Sequence, residues 1–163
     1  MRHIISLLME NEAGALSRVS GLFSARGYNI ESLSVAPTED QSLSRMTIVT
    51  RGSDEIIEQI IKQLNKLIDV VKVLDLHDGD HIERELVLVK VKANKQYRDE
   101  VQQLSSSYGG RIIDSSENIL TIEFTGTSTE LDNYLKSLNN SFVVEIVRTG
   151  ASGIGRGDRI LKI

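Results

Sequence analysis

The stretch Ile4-Ile5-Ser6-Leu7-Leu8-Met9-Glu10-Asn11-Glu12-Ala13-Gly14-Ala15-Leu16-Ser17-Arg18-Val19-Ser20-Gly21-Leu22-Phe23 carries two periodicities in succession. Up to Met9 it is apolar on both alternate faces, the pattern of a central strand covered on at least one side. The run stops at Glu10-Asn11-Glu12. After Gly14 the residues Ala15, Leu16, Val19, Leu22 and Phe23 recur at helical spacing with Ser17, Arg18 and Ser24 between them, which predicts an amphipathic helix. Gly27 ends that helix, Asn29 to Val35 reads as a strand, and Pro37-Thr38-Glu39-Asp40 makes a turn. Met46 to Val49 is the next strand. Ser53-Asp54 is an N-cap signal for a second helix bearing Ile56, Ile57, Ile60, Ile61, Leu64 and Leu67, and Val70 to Leu76 is a fourth strand. The order is βαββαβ.

The same order returns further along. His77-Asp78-Gly79-Asp80-His81 has no apolar rhythm and reads as a linker. Leu86 to Val91 is then a strand; Tyr97, Val101 and Leu104 mark a helix that Gly109-Gly110 stops; Arg111 opens a strand; and Ile119 to Phe124 alternates as another. Thr127 to Leu138 is a helix with Leu131, Leu135 and Leu138 on one face, and Phe142 to Val147 closes the unit. The repeat is one of element order and not of residues. These readings predict an α+β protein of two ferredoxin-like βαββαβ units: residues 1–77, a linker at 78–82, a second unit at 83–149, and a basic, Gly-rich tail at 150–163. Such a unit covers one sheet face with helices and leaves the other needing a cover. Units this small are marginal alone, so pairing is expected, with the edge strand Asn29 to Val35 meeting its twin about a two-fold axis.

Composition narrows the function. The chain has 163 residues, 40% of them hydrophobic, 26% charged and a single proline, which describes a folded globular protein and excludes disorder. Net charge is −4, and aromatics are 4% with no tryptophan, so neither a basic footprint nor a stacking platform for nucleic acid is evident. The acidity lies before residue 81; the remainder is balanced. Zero cysteines exclude disulfides, thiolate nucleophiles and thiolate zinc sites. No apolar run of membrane-spanning length is present, and Met1-Arg2-His3 leads straight into a strand; a cytoplasmic protein with no membrane partner is expected.

The turn between the first strand and helix carries the most chemistry. A helix N-terminus presents unpaired N–H groups and partial positive charge, which suits a carboxylate. Gly14 permits close backbone approach, and Asn11 adds an amide that both donates and accepts. A second amide, Asn29, stands at the start of the expected dimer-edge strand. Together they suit the two ends of an amino acid, although Asn and Gly before a helix are also ordinary capping and turn residues.

The residue string adds to this. Glu10 to Arg18, then Gly21-Leu22-Phe23-Ser24-Ala25-Arg26-Gly27-Tyr28-Asn29-Ile30-Glu31-Ser32-Leu33 and Leu43-Ser44-Arg45-Met46-Thr47, closely resemble the ACT domain of the acetohydroxyacid synthase small regulatory subunits. The similarity continues through Gln63-Leu64-Asn65-Lys66-Leu67, Glu83-Arg84-Glu85-Leu86 and Arg148-Thr149-Gly150. Ser105 to Gly110 and Asn139-Asn140-Ser141 depart most from the family pattern. The resemblance implies a non-catalytic partner of a thiamine-diphosphate enzyme in branched-chain amino-acid synthesis, subject to feedback inhibition by valine. Thiamine diphosphate, magnesium and FAD would belong to the catalytic large subunit and none of them to this chain. It further implies a homodimer with the effector at the interface: Asn11, Gly14, Ala15 and Leu16 of one copy facing Asn29 and Ile30 of the other. Helix-start N–H groups would take the carboxylate, and Leu16 and Ile30 would line the isopropyl pocket.

Other features weigh less. His77 to His81 has metal-site composition, but ligands alternating on one loop fit no particular geometry, and a solvated linker with no metal is expected. The tail Gly150 to Asp158 tempts a phosphate-loop reading, yet Arg156 stands where Lys is required and Gly157 where Ser or Thr is, with no room for a following helix. With Arg148, Arg156, Arg159 and Lys162 against Asp158, the tail is basic, and reads either as a docking element for the catalytic subunit or as a frayed terminus. Two further classes stand beside the regulatory subunit: a free-standing amino-acid-sensing ACT protein, and a small enzyme. His3, His77 and His81 are set at a strand start and in the linker with no evident nucleophile, so no catalytic residue is assigned.

Overall fold

The computed structural model describes residues 1–140 and 142–163; Ser141, the last residue of the divergent Asn139-Asn140-Ser141 stretch, lies outside them. Two compact units divide the chain: Met1–Ile82 with Gly150–Ile163, and Glu83–Thr149.

In the first unit β1 (Arg2–Glu10), α1 (Ala15–Ala25), β2 (Ile30–Pro37), β3 (Leu43–Arg51), α2 (Asp54–Leu64) and β4 (Val70–Asp75) follow the expected order. Antiparallel pairing arranges the strands as β2-β3-β1-β4, with β2 and β4 at the edges. One face of β1 and β3 turns Ile5, Leu7, Met9, Met46 and Ile48 toward the helices, where Val19, Phe23, Ile57, Ile60 and Leu64 complete a buried core. Most of the helix stripe residues read from sequence face this core, because residues three and four apart share a helix face, but Leu16 and Ile56 are exposed.

The opposite face of the sheet is covered by the chain's own C-terminus. Gly150 turns with φ 79°, and β9 (Ser152–Gly155) runs over the sheet, where Ala151 joins Ile4, Val49 and Leu76 in a second buried cluster. The approach is close enough that a Cβ on Gly153 would stand 2.5 Å from Leu76 Cδ1 and 3.2 Å from Ile4 Cγ2. Polar ties fix the segment. Arg45 Nη2 donates to the Gly153 carbonyl (3.3 Å), Arg159 donates to the Asp75 and Leu76 carbonyls, and Lys72 Nζ donates to the Lys162 carbonyl (2.8 Å). Residues 150–163 are therefore packed as part of the first unit and are not a frayed end. The expectation of a tail fails because its glycines permit backbone-to-sheet packing, and its cations Arg159 and Lys162 are engaged within the unit, the latter 3.9 Å from Glu39.

The second unit repeats the plan with β5 (His81–Lys92), α3 (Lys95–Ser107), β6 (Arg111–Ser115), β7 (Ile119–Gly126), α4 (Ser128–Ser137) and β8 (Val143–Arg148), ordered β6-β7-β5-β8. Val87, Val89, Val91, Leu120, Ile122 and Leu131 are buried with Tyr134, whose hydroxyl lies 2.9 Å from Ser105 Oγ. That partner offsets the desolvation of a buried phenol. Thr127 and Glu130 close a capping box at the start of α4. The strand β5 begins at His81, so the residues expected as linker reduce to a turn at 77–79 before the chain is extended again.

One ion pair ties the α1 end of the first unit to the approach of β4. Arg18 meets the buried Asp69 carboxylate with two nitrogens, Nε on Oδ2 and Nη2 on Oδ1, the latter at 2.8 Å. The hydrogen bond from Arg18 holds the Asp69 carboxyl below its ordinary range, with Arg18's charge adding to it, and the same bond raises Arg18.

Two outcomes are expected. Gly153→Ala should lower stability by about 1–3 kcal/mol through overpacking against Leu76, whereas Gly21→Ala, on α1 with open space at its Cβ, should raise it by about 0.5–1 kcal/mol; urea denaturation of the full chain checks both. Because folding depresses the Asp69 pKa, its contribution is present above the unfolded value and lost as pH falls through the folded one. The stability gap between the native chain and Asp69→Asn should therefore be full at neutral pH and close in acid. A gap that stays constant through the carboxylate range would contradict this.

Candidate functional site

At the C-terminal end of β1 the backbone is held on both sides: the Glu10 N–H donates to the Asp69 carbonyl (2.8 Å) and the Asn11 N–H to the Ser42 carbonyl (2.7 Å). The Asn11 side chain completes the tie, donating from Nδ2 to the Gln41 carbonyl (2.9 Å) and accepting at Oδ1 from Ser44 Oγ (3.1 Å). Asn11 thus staples the β1–α1 turn to the β2–β3 hairpin, and each end of its amide has one bonding direction left over.

Gly14 is the N-cap of α1, in the left-handed region at φ 88°, and supplies no capping side chain. Its conformation is one that residues with a Cβ seldom adopt. The Ala15 N–H turns back to the Glu12 carbonyl at 3.2 Å. The next amides of the first turn, Leu16 and Ser17, lie too early in the helix to reach a helical carbonyl, so the end of α1 offers donors and positive potential without a resident acceptor from its own cap. Arg18 arches over this point: a Cβ at Gly14 would lie 3.0 Å from Arg18 Nη1. The guanidinium spends Nε and Nη2 on Asp69, leaving Nη1 beside the helix start.

A concavity of about 220 Å³ opens here, with Asn11, Ala15, Leu16, Val35, Pro37 and Ser44 among its lining residues. Leu16 and Val35 are exposed on its rim, whereas Ala15 is buried and also belongs to the helix-side core. The structure therefore brings Asn11, Ala15 and Leu16 to one hollow with Gly14 at its edge. Asn29 and Ile30 stand at the far end of β2, roughly 23 Å along an eight-residue strand. Asn29 is exposed with its carbonyl accepting from Thr50 Oγ1 (2.6 Å), and Ile30 packs against the helix-side core.

The sequence pattern assigns no site role to Arg18, Val35, Pro37 or Ser44. For Arg18 a signal existed: side chains on a helix lean toward its N-terminus, so a residue four beyond the cap reaches back over it. For Val35 to Pro37 none did, since their place beside α1 depends on how β2 folds back across β3. Among the described residues no helix is long and apolar enough to cross a membrane.

Comparison with known proteins is consistent across the whole length. Residues 5–72 match the model of the AHAS small subunit-like ACT domain, and residues 84–157 that of the small subunit of acetolactate synthase. The chain is 52% identical over 163 residues to the acetolactate synthase isozyme 3 small subunit of Escherichia coli K12, covering 99% of this chain and 100% of that one. It is 49% identical to the acetolactate synthase small subunit of Haemophilus influenzae, with 98% of each chain covered. The crystal structure of the acetolactate synthase small subunit from Thermotoga maritima superposes with a TM-score of 0.89 at 37% identity, covering 97% of this chain and 99% of that one. An ACT domain followed by a second βαββαβ unit, matched end to end by these relatives, places the chain in the acetolactate synthase small-subunit family.

Proposed function

We propose that this chain is the non-catalytic regulatory subunit of an acetolactate (acetohydroxyacid) synthase. In this reading it docks on the catalytic large subunit, raises its activity, and carries feedback inhibition by valine in valine and isoleucine synthesis in the cytoplasm. Thiamine diphosphate, magnesium and FAD belong to the large subunit in this scheme. The observation that carries the effector assignment is the uncapped start of α1 at Gly14, opening on a hollow whose far wall is the C-terminal end of the edge strand β2.

Two copies give that geometry a purpose. If β2 pairs antiparallel with its twin about an axis at Leu33, Ile30 of one strand comes opposite Ala36 of the other and Asn29 opposite Pro37. Asn29 and Ile30 of one copy then arrive at the Asn11-to-Leu16 hollow of its partner, so residues 23 Å apart within one chain become neighbours across the axis, on the order of strand spacing. The α1 amides and Arg18 Nη1 supply a carboxylate site, the Asn29 amide faces the ammonium end, and Leu16 with Val35 offers apolar surface to a branched side chain. Glu10 and Glu12 make the surroundings acidic, which favours a zwitterion over a simple anion. One methylene is worth only about 1–3 kcal/mol in such a hollow, so leucine and isoleucine should compete partially. Inhibition then requires valine to bind one subunit arrangement more tightly than another.

Reconstitution tests the whole reading. The isolated chain should form no acetolactate; mixed with a catalytic large subunit it should raise the rate, and valine should lower it. By calorimetry Gly14→Asp, which sets a carboxylate at the proposed anion site, and Asn29→His should each weaken valine binding at least tenfold. Acetolactate formation by the chain alone would overturn the regulatory assignment, and unchanged valine affinity in both variants would overturn the site.

A further inference from the structure

A second hollow, of about 500 Å³, lies on the first unit away from the α1 site and is lined by His3, Asp54, Glu58, Asp75, His77 and Asp78 among others. His3 is only 3% exposed. Its Nδ1 is 3.3 Å from Asp75 Oδ2, and Asp75, also buried, accepts the His77 N–H on its other oxygen at 2.9 Å. A neutral imidazole that donates from Nδ1 presents a lone pair at Nε2. That Nε2 is buried, aimed into the hollow and has no hydrogen-bond partner among the described residues. The atom it faces is Asp54 Oδ1, 3.6 Å away, too far for a hydrogen bond and with negative charge toward negative density.

We propose that this pair binds a divalent first-row transition cation of the Zn²⁺ class, with His3 Nε2 and the Asp54 carboxylate as first donors. Two donors about 2.1 Å from one ion at a tetrahedral angle stand about 3.4 Å apart, close to the spacing found. The Asp75 carboxylate on His3 Nδ1 supplies the outer support that fixes the ring and strengthens Nε2 as a donor. An imidazole nitrogen beside a carboxylate favours zinc, cobalt or nickel over magnesium or calcium. No three His, Cys, Asp or Glu side chains among the described residues stand already assembled as a ligand set. The third ligand comes from the rim, where the exposed His77 has its ring centroid 4.5 Å from that of His3 and Asp78 follows it in the chain; water completes the shell. Glu55 and Glu58 beside Asp54 offset the positive end of α2, and the bound ion joins the starts of β1 and α2 to the end of β4.

Titration of the metal-free full chain with Zn²⁺, followed by calorimetry, and with Co²⁺, followed by visible absorption, tests the proposal. One ion per chain is expected, with intense Co²⁺ bands of a four-coordinate site. Asp54→Asn, at a side chain 76% exposed, should weaken Zn²⁺ binding at least tenfold. His3→Gln should do the same, and His81→Gln, whose ring turns to the Gly79 carbonyl, should change nothing. Absence of one-per-chain binding, or Zn²⁺ affinity unaltered in Asp54→Asn, would overturn it, as would an equal loss in His81→Gln.

Discussion

The strand β1 imposes the constraint from which the first unit follows. Ile5, Leu7 and Met9 point to one face and Ile4 and Leu8 to the other, and all five are buried. Two helices on a four-stranded sheet satisfy only one of these faces. The other is closed by the chain's last residues, which return after the whole second unit to lie over Ile4, Val49 and Leu76. The return is permitted because Gly153 has no side chain: a single methyl group there would collide with Leu76. At about 25 cal/mol per Å² of apolar surface removed from water, sealing this face is a substantial gain for so small a unit. It also makes the first unit a discontinuous domain, dependent on a segment far away in sequence.

The candidate effector site grows from the same strand. Where β1 ends, its last N–H groups are taken by Asp69 and Ser42 carbonyls, and Asn11 locks the following turn to the β2–β3 hairpin. This rigid seating sets Gly14 and the first amides of α1 beside β2. The Arg18–Asp69 pair adds a fixed cation at the helix start while neutralising most of its own field locally. Asn11 therefore contributes chiefly by positioning the turn, a role that its amide fills with bonds inside the chain. The edge strand β2 separates the two groups of residues that the family resemblance assigns to one effector.

Much of this was legible in the sequence. Apart from the exposed Leu16, the strand and helix stripes at Ile4 to Phe23 mark core residues that the structure buries, and the repeat of element order predicts both units. Bounds moved by a few residues where pairing extends a strand past its apolar run, as in β1 and β3, whose registers run from Arg2 opposite Arg51 to Glu10 opposite Leu43. The residues Asn11, Gly14, Ala15 and Leu16 group as expected because they are consecutive around one turn. Val35 to Pro37 did not show themselves, since the hairpin that carries them past α1 is a tertiary feature. His3 and His77 looked unrelated, one at a strand start and the other in a linker; antiparallel pairing of β1 with β4, with Ile5 opposite Asp75, makes them neighbours.

Sequence by itself determined the element order, the helix-facing core, the uncapped glycine start of α1 and the family, because these depend on local periodicity and on residue strings. Only the tertiary structure decided what covers the second face of the first sheet, where the basic C-terminal residues go, and which side chains share a hollow. Those outcomes depend on contacts between positions up to about 150 residues apart, such as Ile4 with Gly153, and periodicity carries no record of them.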